Sequence, residues 1–388
     1  MKIKTLEYYD HDKEWRLEPV EFSDLNLLVG ISGAGKTKIL EAILNLQKIA
    51  NGEAVLSGIE WEITFLAEEN KQYLWKGEFE RKDELAPIFM YESGVNDDTN
   101  KAEILTESLF LDGTLVVERE RNTIKFQGNT LPKLSAFTSV IEIFKSEEIV
   151  RAAWDSFQQI NFSVENIASK NQIYPVPFSL LLGKYPTKEN IIKSGLREQI
   201  KLALIYKNVP EIFKDIRNKF MQVFPTVADV KIEPFSGKFP ENFPSSISEF
   251  PFIYIKEKGV EPWISQGEMS SGMYRTLINI AELYLSPKGS LIIIDEFENS
   301  LGINCIDAVT EDLQDLASGE RDLQFILTSH HPYIINNIPM NHWKIVSRKG
   351  GIVTVRSAKE LNLGKSKHQA YLQLINKLET YNDEEEIS

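Results

Sequence analysis

Residues 30–37, Gly-Ile-Ser-Gly-Ala-Gly-Lys-Thr, place three glycines, a lysine and two hydroxyls within eight positions. In this spacing, G-x-x-x-x-G-K-[ST], glycines let successive backbone N–H groups close around a phosphate. The lysine reaches the phosphate oxygens and the threonine hydroxyl can ligate Mg²⁺. Gly30, Ser32, Gly33, Ala34, Gly35, Lys36 and Thr37 are therefore candidate phosphate-binding residues, against the plainer reading of a turn that serves only the fold. In Leu-Ile-Ile-Ile-Asp-Glu, residues 291–296, two carboxylates follow four apolar residues. Asp295 could complete a Mg²⁺ shell while Glu296, beside it, deprotonates an attacking water. That pairing favours hydrolysis over transfer to a second substrate; the plainer reading is surface charge. A third stretch, FILTSHHPYII at 325–335, sets His330 and His331 at a strand end. His330, two residues after Thr328, is the better placed to meet a γ-phosphate, although a histidine there is often structural. The fourth, Met269-Ser270-Ser271-Gly272-Met273, opens a helical pattern, and Ser270 and Gly272 would form an anion site at its N-terminus. A serine-rich helix cap is the alternative.

These groups need strands that end where the polar residues begin. Leu25 to Val29 is an apolar run of the kind buried on both faces, and Ile39, Leu40, Ile43, Leu44 and Leu46 mark one face of a helix after the glycine turn. The order is strand, loop, helix. Residues 2–22 give short alternating segments. Trp61, Ile63 and Phe65, then Tyr73, Trp75 and Phe79, alternate at period two across EENKQ and predict an antiparallel hairpin. With strand-like pieces at 114–118 and 122–126, residues 52 to about 130 predict a β-rich layer, in which 93–102 is a polar loop. Ser146 is a candidate N-cap for a helix carrying Ile149, Ala153, Trp154, Phe157 and Ile160. Helical spacing returns at Ile212, Ile216, Phe220 and Phe224 after Pro210, and after Gly272 with Leu277, Ile280, Ala281 and Tyr284 inward. The Pro- and Ser-rich segment 236–250 predicts a surface loop, and the acidic end YNDEEEIS a frayed tail.

Composition sets limits on these readings. The 388 residues contain 43 Lys and Arg against 57 Asp and Glu, a net charge of −14, with 42% hydrophobic residues and a single cysteine, Cys305. A chain of this length suggests two domains or one with a large insertion. The negative balance repels nucleic-acid phosphate unless a local basic groove forms. One cysteine excludes an internal disulfide framework and a cysteine-based zinc site within one chain. No transmembrane run and no apolar leader segment are visible at the start MKIKTLEYYD, so a cytoplasmic, soluble protein is expected.

Together the four stretches, taken in chain order with Met269–Met273 ahead of Asp295, resemble ABC-type ATPases of the SMC/RecF/OLD branch; Met269–Met273 is similar to a degenerate LSGGQ signature. The resemblance rests on residues 1–50 and 260–345. It implies an α/β P-loop NTPase fold of ABC-ATPase head type, a mixed central sheet with an antiparallel β layer and an inserted helical lobe. Domain boundaries on this layout fall at 1–135, 136–227, 228–360 and a C-terminal helix and acidic tail at 361–388. The cofactors implied are ATP and Mg²⁺, with Lys36 and Thr37 on phosphate and metal, Asp295 on the metal, Glu296 as hydrolytic base and His330 as switch histidine. Ser270 and Gly272 would act in trans in an ATP-sandwiched homodimer or higher oligomer, with Ser300-Leu301 where the family has its D-loop.

Two departures shape the functional expectation. The motif clusters are separated by 259 residues (295 − 36) without a sustained heptad run, so no long coiled coil is expected; only 58 residues (388 − 330) follow His330, too few for the nuclease domain of OLD proteins. No Q-loop glutamine stands out among Gln127, Gln158 and Gln159. The C-terminal segments NHWKIVSRKGG and GKSKHQAYLQLINKL also look like the closing part of stand-alone members from defence operons. The resemblance thus implies a nucleotide-dependent switch or scaffold controlling a separate effector, a nuclease or toxin encoded nearby, as in two-component anti-phage systems such as the PARIS pair. The alternatives are a RecF-like repair ATPase that binds DNA directly and a small-molecule kinase, and residues 38–60 lack the lid arginines that a kinase needs.

Overall fold

Three apolar runs build the parallel part of the larger sheet. In the computed structural model, which describes residues 1–53, 56–82, 102–163, 177–234, 249–300, 310, 313–319, 321–364, 369 and 372–373, every residue of Leu25–Val29, Leu291–Ile294 and Gln324–Thr328 is buried. Strands buried on both faces read as continuous apolar runs rather than alternating ones, and these three lie parallel side by side.

In chain order the strands are β1 (Lys2–Asp10), β2 (Trp15–Glu21), β3 (Leu25–Val29), β4 (Ile59–Leu66), β5 (Gln72–Phe79), β6 (Ile104–Leu111), β7 (Thr114–Glu120), β8 (Thr123–Phe126) and β9 (Asn129–Thr130). They continue as β10 (Ile160–Ser163), β11 (Val227–Pro234), β12 (Pro251–Glu257), β13 (Ile264–Ser265), β14 (Leu291–Ile294), β15 (Gln324–Thr328), β16 (Trp343–Lys349) and β17 (Ile352–Ser357). The larger sheet has 14 strands in the order β10-β14-β15-β3-β16-β17-β2-β1-β4-β5-β6-β7-β8-β9. Strands β14, β15, β3 and β16 are parallel; from β1 through β9 every neighbouring pair is antiparallel. The expected mixed sheet with an antiparallel layer is therefore present as one continuous sheet.

The helices are α1 (Lys36–Ala50), α2 (Val140–Ile143), α3 (Glu148–Gln158), α4 (Phe178–Lys184), α5 (Lys188–Ile192), α6 (Glu198–Asn208), α7 (Pro210–Val223), α8 (Ser271–Leu285) and α9 (Pro332–Asn337). Among the described residues the longest, α1 and α8, have 15 residues each, which leaves no long coiled coil. The chain forms two compact units: residues 1–162, 289–295 and 316–388, and residues 163–288 with 296–315. The first holds the 14-stranded sheet; α2 and α3 belong to it, on the inner face of the antiparallel layer. There Phe157 packs edge-on against Phe65 and Trp75, at 5.3 and 5.2 Å between ring centres, and the Tyr73 hydroxyl donates to the Ile149 carbonyl at 2.7 Å. The hairpin registers Phe65 with Tyr73 and Ile63 with Trp75, as the period-two pattern requires.

The antiparallel layer also buries a charge pair. Glu107 is fully buried, and its carboxylate accepts from Trp75 Nε1 at 2.9 Å, Ser139 Oγ at 2.6 Å and the Val140 amide at 2.9 Å, with Arg119 4.0 Å away. Arg119 in turn donates to the carbonyls of Ser135 and Thr138. Burial raises the Glu107 carboxyl pKa, and Arg119, Ser139, Val140 and Trp75 offset only part of that. The pair ties β6, β7 and the start of α2 together.

The second unit contains α4 to α8 and the small sheet β11-β12-β13. Buried Gln199 on α6 donates to Gln266 at 3.1 Å and accepts from the Tyr274 hydroxyl at 3.1 Å, while Gln266 also accepts the Ile253 amide at 3.0 Å. This chain of amides seats the first turn of α8 against β12. Two local expectations change. Helix α3 begins one residue later than a Ser146 cap would place it, with Glu147 at the N-cap and no side-chain bond there, and it ends at Gln158, so that Ile160 opens strand β10 instead of continuing the helix. On α8, Leu277, Ile280 and Ala281 are buried as expected, but Tyr284 is half-buried and Leu283 and Leu285 take its place inside. Apart from Ala102, Glu249 and Phe250, the expected loops at 93–102 and 236–250 lie outside the described residues, as do Leu301 of the D-loop position and most of the C-terminal helix and tail.

Candidate functional site

The loop from β3 to α1 is shaped by glycines that the fold itself requires. A Cβ on Gly30 would stand 2.5 Å from the Val346 carbonyl oxygen on β16, and Gly35 has φ +97 with Val353 Cγ2 only 3.0 Å from where its Cβ would be. Residues other than glycine pay both sterically and in backbone conformation at such a position. The turn delivers Lys36 as the first residue of α1. The first turn of α1 has no side-chain cap and no acidic residue, so its N–H groups and the positive end of the helix dipole are directed at whatever the loop encloses. Ser32, Gly33 and Thr37 are exposed and Ala34 is buried. The Lys36 ammonium folds back onto its own loop, donating to the Gly30 carbonyl at 2.8 Å and the Ile31 carbonyl at 2.9 Å. Phosphate oxygens offer the same ammonium a stronger, charge-assisted partner.

Two further strand ends converge on this loop. The register Ile294 with Leu327 aligns the ends of β14 and β15, so the next residues, Asp295 and Thr328, sit side by side. Thr328 Oγ1 donates to Asp295 Oδ1 at 2.5 Å, and Thr37 Oγ1 points to the same oxygen at 3.4 Å. Asp295 is half-buried and Thr328 is buried. A hydroxyl and a carboxylate oxygen facing each other are hard donors suited to Mg²⁺. That ion keeps several waters and needs only one or two protein groups beside substrate phosphates. The described residues contain no cluster of three or more His, Cys, Asp or Glu for a metal, and this donor set fits such a partly protein-bound ion.

Beyond β15 the two histidines separate. His331 caps α9, its Nδ1 accepting the Tyr333 amide at 3.2 Å, while its own amide donates to Ser329 Oγ at 3.0 Å; Pro332 follows at the first helical position. His330 is exposed at the strand end. His331 is thus engaged structurally, and His330 keeps the position facing outward. Glu296, exposed and the first residue of the second unit, has φ +47. A non-glycine residue in the left-handed region is uncommon, and such residues cluster at functional sites.

In the second unit, Ser270 is the N-cap of α8, its Oγ accepting the Met273 amide at 3.2 Å. The plain capping role is therefore real for Ser270. Gly272 differs: a Cβ there would meet nothing within 4 Å among the described residues. Glycine is a poor helix former, and no packing among the described residues accounts for one here. The glutamines considered for a Q-loop have other work. Gln158 donates to Asn51, Gln159 accepts the chain's N-terminal amine at 3.2 Å, and Gln127 lies in a turn with φ +48.

Sequence reasoning passed over the role of Thr328. Its signal was present, since aligning the apolar runs LIII and QFIL as neighbouring parallel strands puts Asp295 opposite Thr328.

The sequence profile described as "AAA domain, putative AbiEii toxin, Type IV TA system" matches residues 25–336. Among solved structures, an SMC head bound to the C-terminal winged-helix domain of ScpA aligns over 93% of this chain and 100% of its own at 15% identity, with TM-score 0.55. An SMC head domain from Thermotoga maritima aligns over 92% and 99% at 14% identity, with TM-score 0.45. At such identity the first likeness shows the fold alone, a P-loop ATPase head. No curated protein sequence matches the chain.

Proposed function

Because the chain belongs to this family of AAA domains, we propose that it binds ATP with Mg²⁺ at the Gly30–Thr37 loop, hydrolyses it, and uses the cycle as a dimerising switch over a separate effector in anti-phage defence. The observation that carries the reading is the convergence of Thr37 and Thr328 on Asp295 beside the loop that holds Lys36. Lys36 exchanges its two carbonyl partners for phosphate oxygens. Mg²⁺, when bound, neutralises charge that develops on the β- and γ-phosphate oxygens. Thr37 and Asp295 hold the metal side of the nucleotide, Glu296 takes the proton from the attacking water, and His330 hydrogen-bonds the γ-phosphate.

The unexplained glycine supports the trans arrangement. Because a Cβ on Gly272 would meet nothing within 4 Å among the described residues, the first turn of α8 can receive a phosphate carried by a second copy, and Ser270 holds that turn in shape. An effector role is supported by the SMC head that binds a winged-helix partner, and by the toxin–antitoxin context in the family description. Direct DNA binding is the other reading. The outer face of the antiparallel layer counts against it there, because Glu7, Glu60, Glu62 and Glu78 line one shallow depression with only Arg16 and Lys76 for balance.

Mixing two inactive variants tests the arrangement. Lys36→Ala spoils the loop and Gly272→Asp spoils the signature, so a mixed dimer retains one complete site. ATP hydrolysis is expected to return on mixing. A mixture as inactive as its components would remove the trans contact from the account.

A further inference from the structure

We infer that Thr328 is a positioning residue for the metal: its hydroxyl holds Asp295 in the orientation that lets the carboxylate receive Mg²⁺ with the nucleotide. The inference rests on the reading that Asp295 is a Mg²⁺ ligand and adds a residue to it. Two hydroxyls reach the same oxygen, Asp295 Oδ1, and they differ in kind. Thr37 is exposed, on the first turn of α1, and its 3.4 Å contact is near the outer limit of a hydrogen bond. Thr328 is 1% exposed, ends a fully buried strand, and donates at 2.5 Å, the length of a strong hydroxyl-to-carboxylate bond.

The weak contact is the one that can be given up. The Thr37 oxygen can give a lone pair to a cation with its O–H still free to reach Asp295 or to turn from it at little cost, whereas the Thr328 bond persists because a β-branched side chain in a packed strand has few alternatives. Asp295 is therefore held in one rotamer before and after the metal arrives. Its neighbour Ser329 accepts the His331 amide at 3.0 Å and fixes the backbone that follows. Donation by Thr328 draws some charge from the carboxylate and by itself weakens its pull on a cation. Preorientation works the other way and is the larger effect at comparable outer-shell contacts, whose loss lowers metal affinity about 10- to 100-fold.

The test is a Mg²⁺ titration of the full chain with a fluorescent ATP analogue, reading binding rather than turnover. Thr328→Val keeps the shape and removes the hydroxyl; Thr328→Ser keeps the hydroxyl and removes the methyl. The Mg²⁺ midpoint is expected to rise about tenfold or more in Thr328→Val, with binding in EDTA and the melting temperature unchanged, and to return towards wild type in Thr328→Ser. An unchanged midpoint in Thr328→Val overturns the inference, as does a Thr328→Ser midpoint shifted as far as that of valine. Should valine fail to fold, Thr328→Ala puts the same question. A wild-type chain that binds the analogue without any response to Mg²⁺ would instead refute the metal reading of Asp295 itself.

Discussion

Asp295 and Glu107 are carboxylates in the same 14-stranded sheet, each accepting a short hydrogen bond from a hydroxyl, yet their surroundings put them to opposite uses. Glu107 lies in the antiparallel half, fully buried, bonded to Trp75, Ser139 and Val140 and faced by Arg119. Its hydrogen-bonding capacity is spent inside the fold. Asp295 stands half-buried at the carboxyl end of a parallel strand, where Thr328 holds it from within and Thr37 only brushes it. A carboxylate enclosed by donors on all sides stabilises a scaffold; one held from a single side is ready for a ligand. The antiparallel layer should thus answer to stability probes and the parallel strand ends to ligand probes, with little crossover.

The sharpest way to break that contrast is Glu107→Ala. It leaves Arg119 buried and uncompensated, which costs about 3–5 kcal/mol, read as a lower denaturant midpoint, while nucleotide affinity of the molecules that remain folded stays at the wild-type value. Lys36→Ala should do the reverse, removing charge-assisted bonds worth about 1.5–3 kcal/mol of ATP affinity with no change in the unfolding midpoint. Gly35→Ala tests the boundary between the halves. Its φ of +97 and the nearby Val353 make an added methyl cost about 1–2 kcal/mol, so calorimetry should show a lower melting temperature together with weaker binding.

The smallest effect is a pH dependence. Burial raises the Glu107 pKa in the folded state above its ordinary 4.5. The folded chain therefore holds that proton more tightly than the unfolded chain, and stability from this group is fully present below about pH 4.5 and falls as pH rises through the raised folded value. Urea midpoints of wild type relative to Glu107→Gln should decline across that window. A difference independent of pH would mean that Arg119 and the hydrogen bonds balance burial, and one that grows with pH that they outweigh it.

The local backbone around the candidate site was more legible from sequence than the scaffold. Glycine spacing around Lys36 and the apolar run before Asp295 report local backbone requirements, and local requirements survive in a single sequence. The hairpin from Trp61 to Phe79 was readable for the same reason, since alternation records one buried face. Strand β6 was missed because Ile104–Leu111 places Glu107 at a buried position, where the alternating pattern calls for an apolar residue; only its partners on β5, β7 and α2 make it acceptable there. The Gln199–Gln266–Tyr274 chain behind the signature turn was hidden likewise, because its members are 67 and 75 residues from Gln199. The sequence favoured His330 over His331 on position alone, and the cap that His331 makes on the helix starting at Pro332 depends on a local turn that no periodicity records.

The central claim is that ATP drives assembly through a site completed by a second copy. Its most direct test is the mass of Glu296→Gln in solution, with and without ATP and Mg²⁺. The account predicts a nucleotide-dependent doubling of mass, or a higher multiple, that Lys36→Ala and Gly272→Asp each abolish. A variant that binds ATP while its mass stays the same, with or without Gly272 intact, would contradict it.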